Sequence, residues 1–400
     1  MLAGRIITPA AIWLLAACSG ASGHDVVAPE PQLLRVDVSR AMDIVPDTTR
    51  MLRLEASPKS LLFSIDRLFA IGDSYVVASR TKLRSYDRRT GKYLGDVAAL
   101  NDSESGYTNL SQLWVEGDTL CVFDCNARSV GRYLADGSFL GKTYPFAHSE
   151  VRANQPLRMF FTMASGDILT VNGSTGGSTR TNPLLSHYGP GGEYRKYVPG
   201  RDVRESTYLM DGAWQDRECD RLLLWEPLRD TVYAATTEGI SPLYVLDAGA
   251  NSFPESYRNL ELIQDRLDRF YRSGDAATYV SVMRYLQAEG DVLYFCLAGS
   301  DRRNYVVRYD CATDSAAIAT VATPDGRYTA STFLALDGDS LLLELRDNQC
   351  VEANPIIYTI DKTPSDETHP IDYRSCRAAA SAWISAGQVA GALGRQRSHT

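Results

Sequence analysis

The side chains that could do chemistry in this 400-residue chain are few and scattered. Its five histidines, His24, His148, His187, His369 and His399, form neither an HExxH pair for zinc nor part of a GxSxG-type nucleophile site. Eight cysteines are present, at 18, 121, 125, 219, 296, 311, 350 and 376. Cys121 and Cys125 are four apart, but no second close pair completes a zinc site. Past Cys18, the cysteines are expected mainly as free thiols buried in strands. Gly189-Pro190-Gly191-Gly192-Glu193-Tyr194 suggests a phosphate loop, yet it lacks a Gly-Lys-Ser/Thr ending and no helical pattern follows. It is expected to be a turn. No catalytic residue can be assigned on these grounds.

Cys18 is the exception, because its surroundings specify a reaction. Arg5 supplies a positive start, and the apolar stretch from Ile6 to Ala17 is too short to span a bilayer, which takes about 20 residues. It ends Leu15-Ala16-Ala17-Cys18, which resembles a bacterial lipobox: a bulky apolar residue, two small ones, then the thiol that carries the lipid. Residues 1–17 are therefore expected to be a lipoprotein signal peptide, and Cys18 the anchor to the membrane. Residues 18–50, opening Ser19-Gly20-Ala21-Ser22-Gly23, are expected to be a flexible tether. No Asp follows Cys18 and no acidic cluster comes directly after it. That favours the outer membrane, facing the periplasm, over the inner membrane or the cell surface.

The composition, 44% hydrophobic and 22% charged, excludes a wholly disordered chain. A formal net charge of −8 without a Lys/Arg run excludes nucleic acid as a partner, since phosphates require a basic stripe.

The elements that would position any site repeat along the chain. Gly-Asp followed by a β-rich run occurs at Gly72-Asp73, Gly117-Asp118, Gly166-Asp167, Gly290-Asp291 and Gly338-Asp339, with Arg229-Asp230 before TVYAA in the large gap. That makes six copies at steps of 45, 49, 63, 61 and 48. Each copy follows an apolar run, so each predicts a hairpin around a turn that uses glycine's positive φ. A second hairpin follows, most clearly from Leu83 to Gly95 and from Tyr133 to Gly141. Four strands per unit at this period predict an all-β fold, a six-bladed β-propeller over residues 51–362. The sixth unit lacks an outer strand. Met51-Leu52-Arg53-Leu54-Glu55 is expected to fill it and close the ring, with Leu33–Val38 as competitor. Apolar Leu260, Ile263, Leu267 and Phe270 predict one helical insertion near 256–271. Residues 363–400 are expected to be a weakly ordered tail.

Lipobox, tether, a closing strand before Ser57-Pro58, tyrosine–Asp–turn–Gly-Lys hairpins and Asn354-Pro355-Ile356-Ile357-Tyr358 together resemble the six-bladed propeller lipoproteins of Bacteroidetes, TolB-like or NHL-like in shape. The likeness covers roughly residues 18–362 and is carried by structural motifs. One departure is Ser103-Glu104-Ser105-Gly106-Tyr107, which stands where the family often has a Gly-Pro-Gly-Glu-Tyr-like segment.

Loop lengths carry the functional expectation. In a propeller, first-to-second and third-to-fourth strand turns share one face, and here they are short. The other face takes the long segments 97–110, 144–157, 172–182, 195–218, 250–277 and 346–354. The candidate ligand-binding residues there are Tyr107, His148, Arg152, Arg180, Tyr208, Trp214, Asp216, Arg327, Tyr328 and Arg346. Aromatic rings offer stacking faces, and arginine offers a planar fork for carboxylate or sulfate. The reading is a non-catalytic binding or scaffold module for a glycan, peptide or protein partner in the envelope, with no cofactor. The alternative is a propeller enzyme, such as a lactone hydrolase using a channel Ca²⁺ or Zn²⁺, or a glycan lyase.

Overall fold

The computed structural model describes residues 30–46, 50–62, 64–101, 104–146, 157–172, 185–198, 212–225, 230–257, 269–270, 272–275, 278–280, 283–299, 303–349 and 354–361. The chain divides into two units, Met1–Glu30 and Pro31–Thr400, and the sheets belong to the second.

Six antiparallel sheets follow one another as six blades. Blades 1, 2 and 3 (residues 67–98, 112–143 and 157–197) each have four strands in chain order. Blades 4 and 5 (212–247 and 283–321) do too, and each has a fifth strand on its outer edge. Blade 6 takes Tyr328–Asp337, Ser340–Asp347 and Ile356–Asp361 from the end of the chain, and Met51–Arg53 from its beginning. The closing strand pairs antiparallel, with Arg53 opposite Ile356 and Met51 opposite Tyr358. Met51–Glu55 therefore closes the ring as the strand count required, through its first three residues.

No blade can bury both faces of its sheet alone. Alternate side chains of each sheet point to opposite neighbours, and the apolar ones meet in six clusters, one per seam. Val76, Val122 and Tyr133 lie between blades 1 and 2, and Phe123, Phe160 and Tyr188 between 2 and 3. Leu169 and Leu224 pack between 3 and 4, Leu223 and Phe295 between 4 and 5, and Tyr294 and Leu343 between 5 and 6. The sixth cluster joins Leu334, Leu342 and Ile357 of blade 6 to Leu68 and Val77 of blade 1, so the ring is closed by packing as well as by pairing. At that seam the turn of blade 1 meets the closing strand. Glu55 N–H donates to Gly91 O at 2.8 Å, and a Cβ on Gly91, at φ +71°, would stand 2.1 Å from Arg53 O.

Three expectations are corrected. Residues within 18–50 are not all tether: Gln32–Arg35 and Met42–Ile44 add parallel strands to the outer edges of blades 4 and 5. Leu33–Val38, the competing closing strand, thus serves blade 4, and Leu34 and Val36 are buried in the seam between blades 4 and 5. The segment lacks a periodicity of its own because a parallel edge strand borrows its register from its partner. The fourth repeat also has its first hairpin elsewhere than at Arg229-Asp230. TVYAA is the third strand of blade 4, and the equivalent turn is Arg217–Asp220, before Arg221–Trp225. There Asp220 at φ +46° takes the left-handed role that Gly72, Gly117, Gly290 and Gly338 play elsewhere, so the Gly-Asp signal is missing. Thirdly, 195–218 is not one connection, because Gly212–Asp216 is the inner strand of blade 4.

Gly189–Glu193 is a turn, closed by Gly189 N–H to Glu193 O and Gly192 N–H to Gly189 O, both at 2.9 Å. Cys121, Cys125, Cys219, Cys296 and Cys311 are free thiols, with Cys121 and Cys296 buried. Cys18, Cys350, Cys376, most of the expected helix at 256–271 and the tail at 363–400 lie outside the described residues. Of that insertion, a short 3₁₀ turn at Glu255–Tyr257 is described, with Tyr257 packed on Phe253 and Phe270.

Candidate functional site

Antiparallel neighbours alternate their turns between two faces, which sorts the candidates. First-to-second and third-to-fourth turns are short throughout, and the other face holds the second-to-third and interblade connections. Arg327 and Tyr328 open the inner strand of blade 6, Arg346 and Asp347 end its neighbour, and Arg67 opens the inner strand of blade 1. All five lie at the long-loop end.

Two inner strands are irregular there. In blade 6 the register steps from Ala330 opposite Leu345 to Thr332 opposite Glu344, leaving Ser331 as an extra residue. In blade 5 it steps from Arg284 opposite Cys296 to Gln287 opposite Tyr294, and Tyr285 within this bulge holds φ +55°. A left-handed aromatic residue costs about 1–2 kcal/mol. Bulges of this kind re-aim side chains beside functional sites.

The bulge in blade 6 aims Ser331 at Glu344. Ser331 Oγ donates to Glu344 Oε2 at 2.9 Å. Glu344 is only 2% exposed, and its Oε1 is buried without a hydrogen bond. The nearest cation is Arg346, whose Nε stands 3.7 Å from Oε1, beyond hydrogen-bond range, on a side chain 58% exposed. Burial pushes the Glu344 carboxyl above the ordinary glutamate range, and Asp66 across the seam with blade 1 adds to this; Arg346 and Ser331 oppose it. Sequence reasoning missed this residue. Its signal was one carboxylate inside the run Leu341-Leu342-Leu343-Glu344-Leu345, where odd positions face blade 5 and even positions face blade 1.

Asp66 accepts from Ser64 Oγ at 2.7 Å and from the Arg80 amide at 2.5 Å. Next to it, Arg67 is exposed, donates to Asp66 O at 2.8 Å, and places its guanidinium 5.5 Å from the centroid of the Tyr285 ring. Inner-strand residues of blades 1 and 5 thus meet in front of blade 6. On the side towards blade 5, Arg327 forks to Asp347 at 3.1 and 3.3 Å and lies 4.8 Å from the centroid of Tyr328. Arg53 of the closing strand is 6.0 Å from the same ring.

The structure therefore brings Arg327 and Arg346 to one mouth, and separates the other described candidates from it. Tyr328 is beside them in the chain but buried in the seam between blades 5 and 6, so its ring packs the core and offers no open stacking face. Tyr107 is 2% exposed and its hydroxyl donates to Thr81 O at 2.6 Å, so its ring supports a loop and offers no stacking face. Trp214 is in mid-strand, packed against the seam between blades 4 and 5. Asp216 ends that strand on the short-turn face, accepting from Arg221 Nε at 2.8 Å. Both were displaced because Gly212-Ala213-Trp214-Gln215-Asp216 carries a weak strand signature. His148, Arg152, Arg180 and Tyr208 lie outside the described residues. Among the described residues, no group of three or more His, Cys, Asp or Glu is placed to hold a metal ion.

Comparison with known proteins places this architecture. The family described as a domain of unknown function, DUF4934, matches residues 37–335. The chain belongs to the DUF4934 family. The matched span starts before the edge strand of blade 5 and ends in the inner strand of blade 6, so it includes two of the N-terminal strands. Among solved structures, a Bacteroides fragilis protein described as exported has a TM-score of 0.54 at 14% identity, over 83% of this chain and 100% of its own. A member of the DUF4221 family from Bacteroides vulgatus has a TM-score of 0.52 at 8% identity, over 81% of this chain and 99% of its own. At these identities the likeness is one of fold. No curated protein matches the sequence. No helix among the described residues is long and apolar enough to cross a membrane.

Proposed function

We propose that this DUF4934 protein is a lipid-anchored binding module of the cell envelope, which holds a glycan, peptide or protein partner at the long-loop mouth beside blades 5, 6 and 1. The observation that carries the reading is the convergence of Arg67, Arg327 and Arg346 around two bulged inner strands, one of which holds Tyr285 in a strained conformation. Tyr285 packs partly against the seam between blades 5 and 6 and presents its ring to the Arg67 guanidinium, and a preformed set of planar cations serves recognition. The export signal and the lipobox ending at Cys18 support an anchor in the outer membrane, facing the periplasm, on a propeller of TolB-like or NHL-like shape. The acidic chain gives nucleic acid no basic stripe, and binding of this kind requires no cofactor.

Glycan and peptide arrays test the reading, backed by pull-down from envelope extracts. Arg67→Ala with Arg346→Ala should weaken capture by about 1–3 kcal/mol per true contact. Arg89→Ala with Lys92→Ala, exposed on a short-turn loop, should leave it unchanged. Equal loss in both pairs would mean nonspecific adhesion. For the anchor, Cys18→Ser should release the protein from the membrane fraction or leave it as precursor.

One observation favours a second reading. A buried carboxyl held above its ordinary range is the kind of group that serves as general acid or base, which fits a propeller glycan lyase. Turnover of an oligosaccharide panel by the wild type, abolished in Glu344→Gln, would establish it.

A further inference from the structure

Arg346 and Glu344 are an incomplete pair. A guanidinium and a carboxylate that satisfy each other meet at about 2.7–2.9 Å, often through two parallel bonds. Here the guanidinium Nε stands 3.7 Å from the carboxyl Oε1, with the carboxyl buried and the guanidinium largely in solvent. Arg67 likewise has only a backbone carbonyl and an aromatic face, and among the described residues no carboxylate pairs with it. Two cations with unused donors thus share a mouth with one buried oxygen that lacks a donor.

Resting on the binding reading above, we propose that Arg346 is the anion-gripping residue of the mouth and Glu344 its counter-ion in the empty state, so that an oxyanion draws Arg346 away and a solvent proton moves onto Glu344 Oε1. The ligand class is a carboxylate or sulfate group. The charged groups facing Glu344 set the direction. Arg346 on its own strand is the cation whose removal disfavours the carboxylate, and Asp66, in the connection entering blade 1, repels it in either state. The inner strand contributes the Ser331 hydroxyl, and the third strand faces it with Ile357. Losing Arg346 leaves burial and Asp66 unopposed by any cation, so proton uptake accompanies binding and affinity falls as pH rises through the window between the empty-state and bound-state values.

Calorimetric titration with digalacturonate, a sulfated disaccharide and the neutral disaccharide, in two buffers of different ionisation enthalpy, tests this. The wild type should bind at least one anionic probe with uptake of up to one proton, its affinity dropping by up to about tenfold per pH unit in that window. Glu344→Gln, nearly isosteric, should still bind but without proton uptake or pH dependence; its melting profile checks the fold. Arg346→Gln should lose at least about tenfold in affinity. Binding without proton uptake, equal binding of the neutral disaccharide, or failure of both anionic probes overturns the inference. The broader reading would then still stand if the array yields a ligand that the Arg67/Arg346 double substitution loses, and would fall with it if no such ligand is found.

Discussion

The outer edges of blades 4 and 5 are covered by parallel strands from the N-terminal segment, whereas those of blades 1, 2 and 3 end in their own fourth strand. The fourth strands differ accordingly. Those that receive a cover, Ile240–Asp247 and Ser315–Val321, are eight and seven residues long. The uncovered ones, Tyr93–Ala98, Phe139–Thr143 and Tyr194–Tyr197, have six, five and four, and each is bulged against its third strand. Length is what separates the two groups, since the covered strand Ile240–Asp247 also steps in register against its third strand. Short edges carrying Lys142, Arg195 and Lys196 resist pairing with another chain, and longer ones need a cover. The uncovered half also bears exposed Leu94, Phe139, Leu140, Tyr194 and Tyr197 on these strands. One fold thus manages its edges in two ways, and the difference in strand length tracks which way each blade uses.

Truncation breaks the comparison most severely. A chain lacking residues 18–56 loses both covers and the closing strand, and should aggregate or fail to fold. Lacking 18–45 it keeps the closing strand and should form a ring with a lowered melting temperature, while loss of 18–30 alone should change little. Equal melting of the last two would mean that the covers contribute nothing. Next in size is Leu34→Ala, at a side chain 0% exposed, which should cost about 2–5 kcal/mol by denaturant unfolding. Gly91→Ala follows: with its Cβ forced against Arg53 O, it should destabilise by more than the roughly 1 kcal/mol that a left-handed conformation alone costs. A harmless Gly91→Ala would place the closing strand elsewhere.

At the junction of the two halves, Glu344→Gln should stabilise the fold by roughly 1 kcal/mol near neutral pH and by little at acid pH. The Glu344 carboxyl is raised by burial, so it costs nothing below the unfolded-state value. The cost grows as pH rises towards and through the folded value, and amide substitution removes it. Melting curves at several pH values check this, and a gain independent of pH would remove titration as its cause. The smallest effect is expected at the bare edge, where Leu140→Ala should stay within about 0.5 kcal/mol. A loss matching that of Leu34→Ala would erase the distinction between covered and bare edges.

Much of the architecture was legible in the chain. Five Gly-Asp turns announce five hairpins, and the short third-to-fourth turns, such as Thr90-Gly91 and Asp136-Gly137, distinguish the two faces. The closing strand was legible because the last unit came up one strand short. Blade 4 was misaligned because Asp220 does the work of a glycine, and the strand Gly212–Asp216 passed for loop. The site was less legible. That Arg327, Tyr328 and Arg346 lie at the long-loop end was legible because they flank strands there, although Tyr328 is buried in the seam. Trp214 and Asp216 lie elsewhere, and Glu344 carried only the signal of a carboxylate in an apolar run.

The boundary between the two kinds of information follows from range. Hairpins form between contiguous residues, so alternation, turn glycines and repeat spacing were enough to determine the blade count and the short-turn face, while the pairing of Arg53 with Ile356 chose between the two candidate closing strands. Covering an edge or burying a carboxyl depends on neighbours distant in the chain. Gln32–Arg35 becomes a strand because Tyr244–Asp247 offers it a free edge. Glu344 acquires its character because Asp66, 278 residues away in sequence, faces it across a seam that exists only once the ring is closed. Desolvation and charge at that seam are properties of the assembled ring, and there the tertiary structure alone decided.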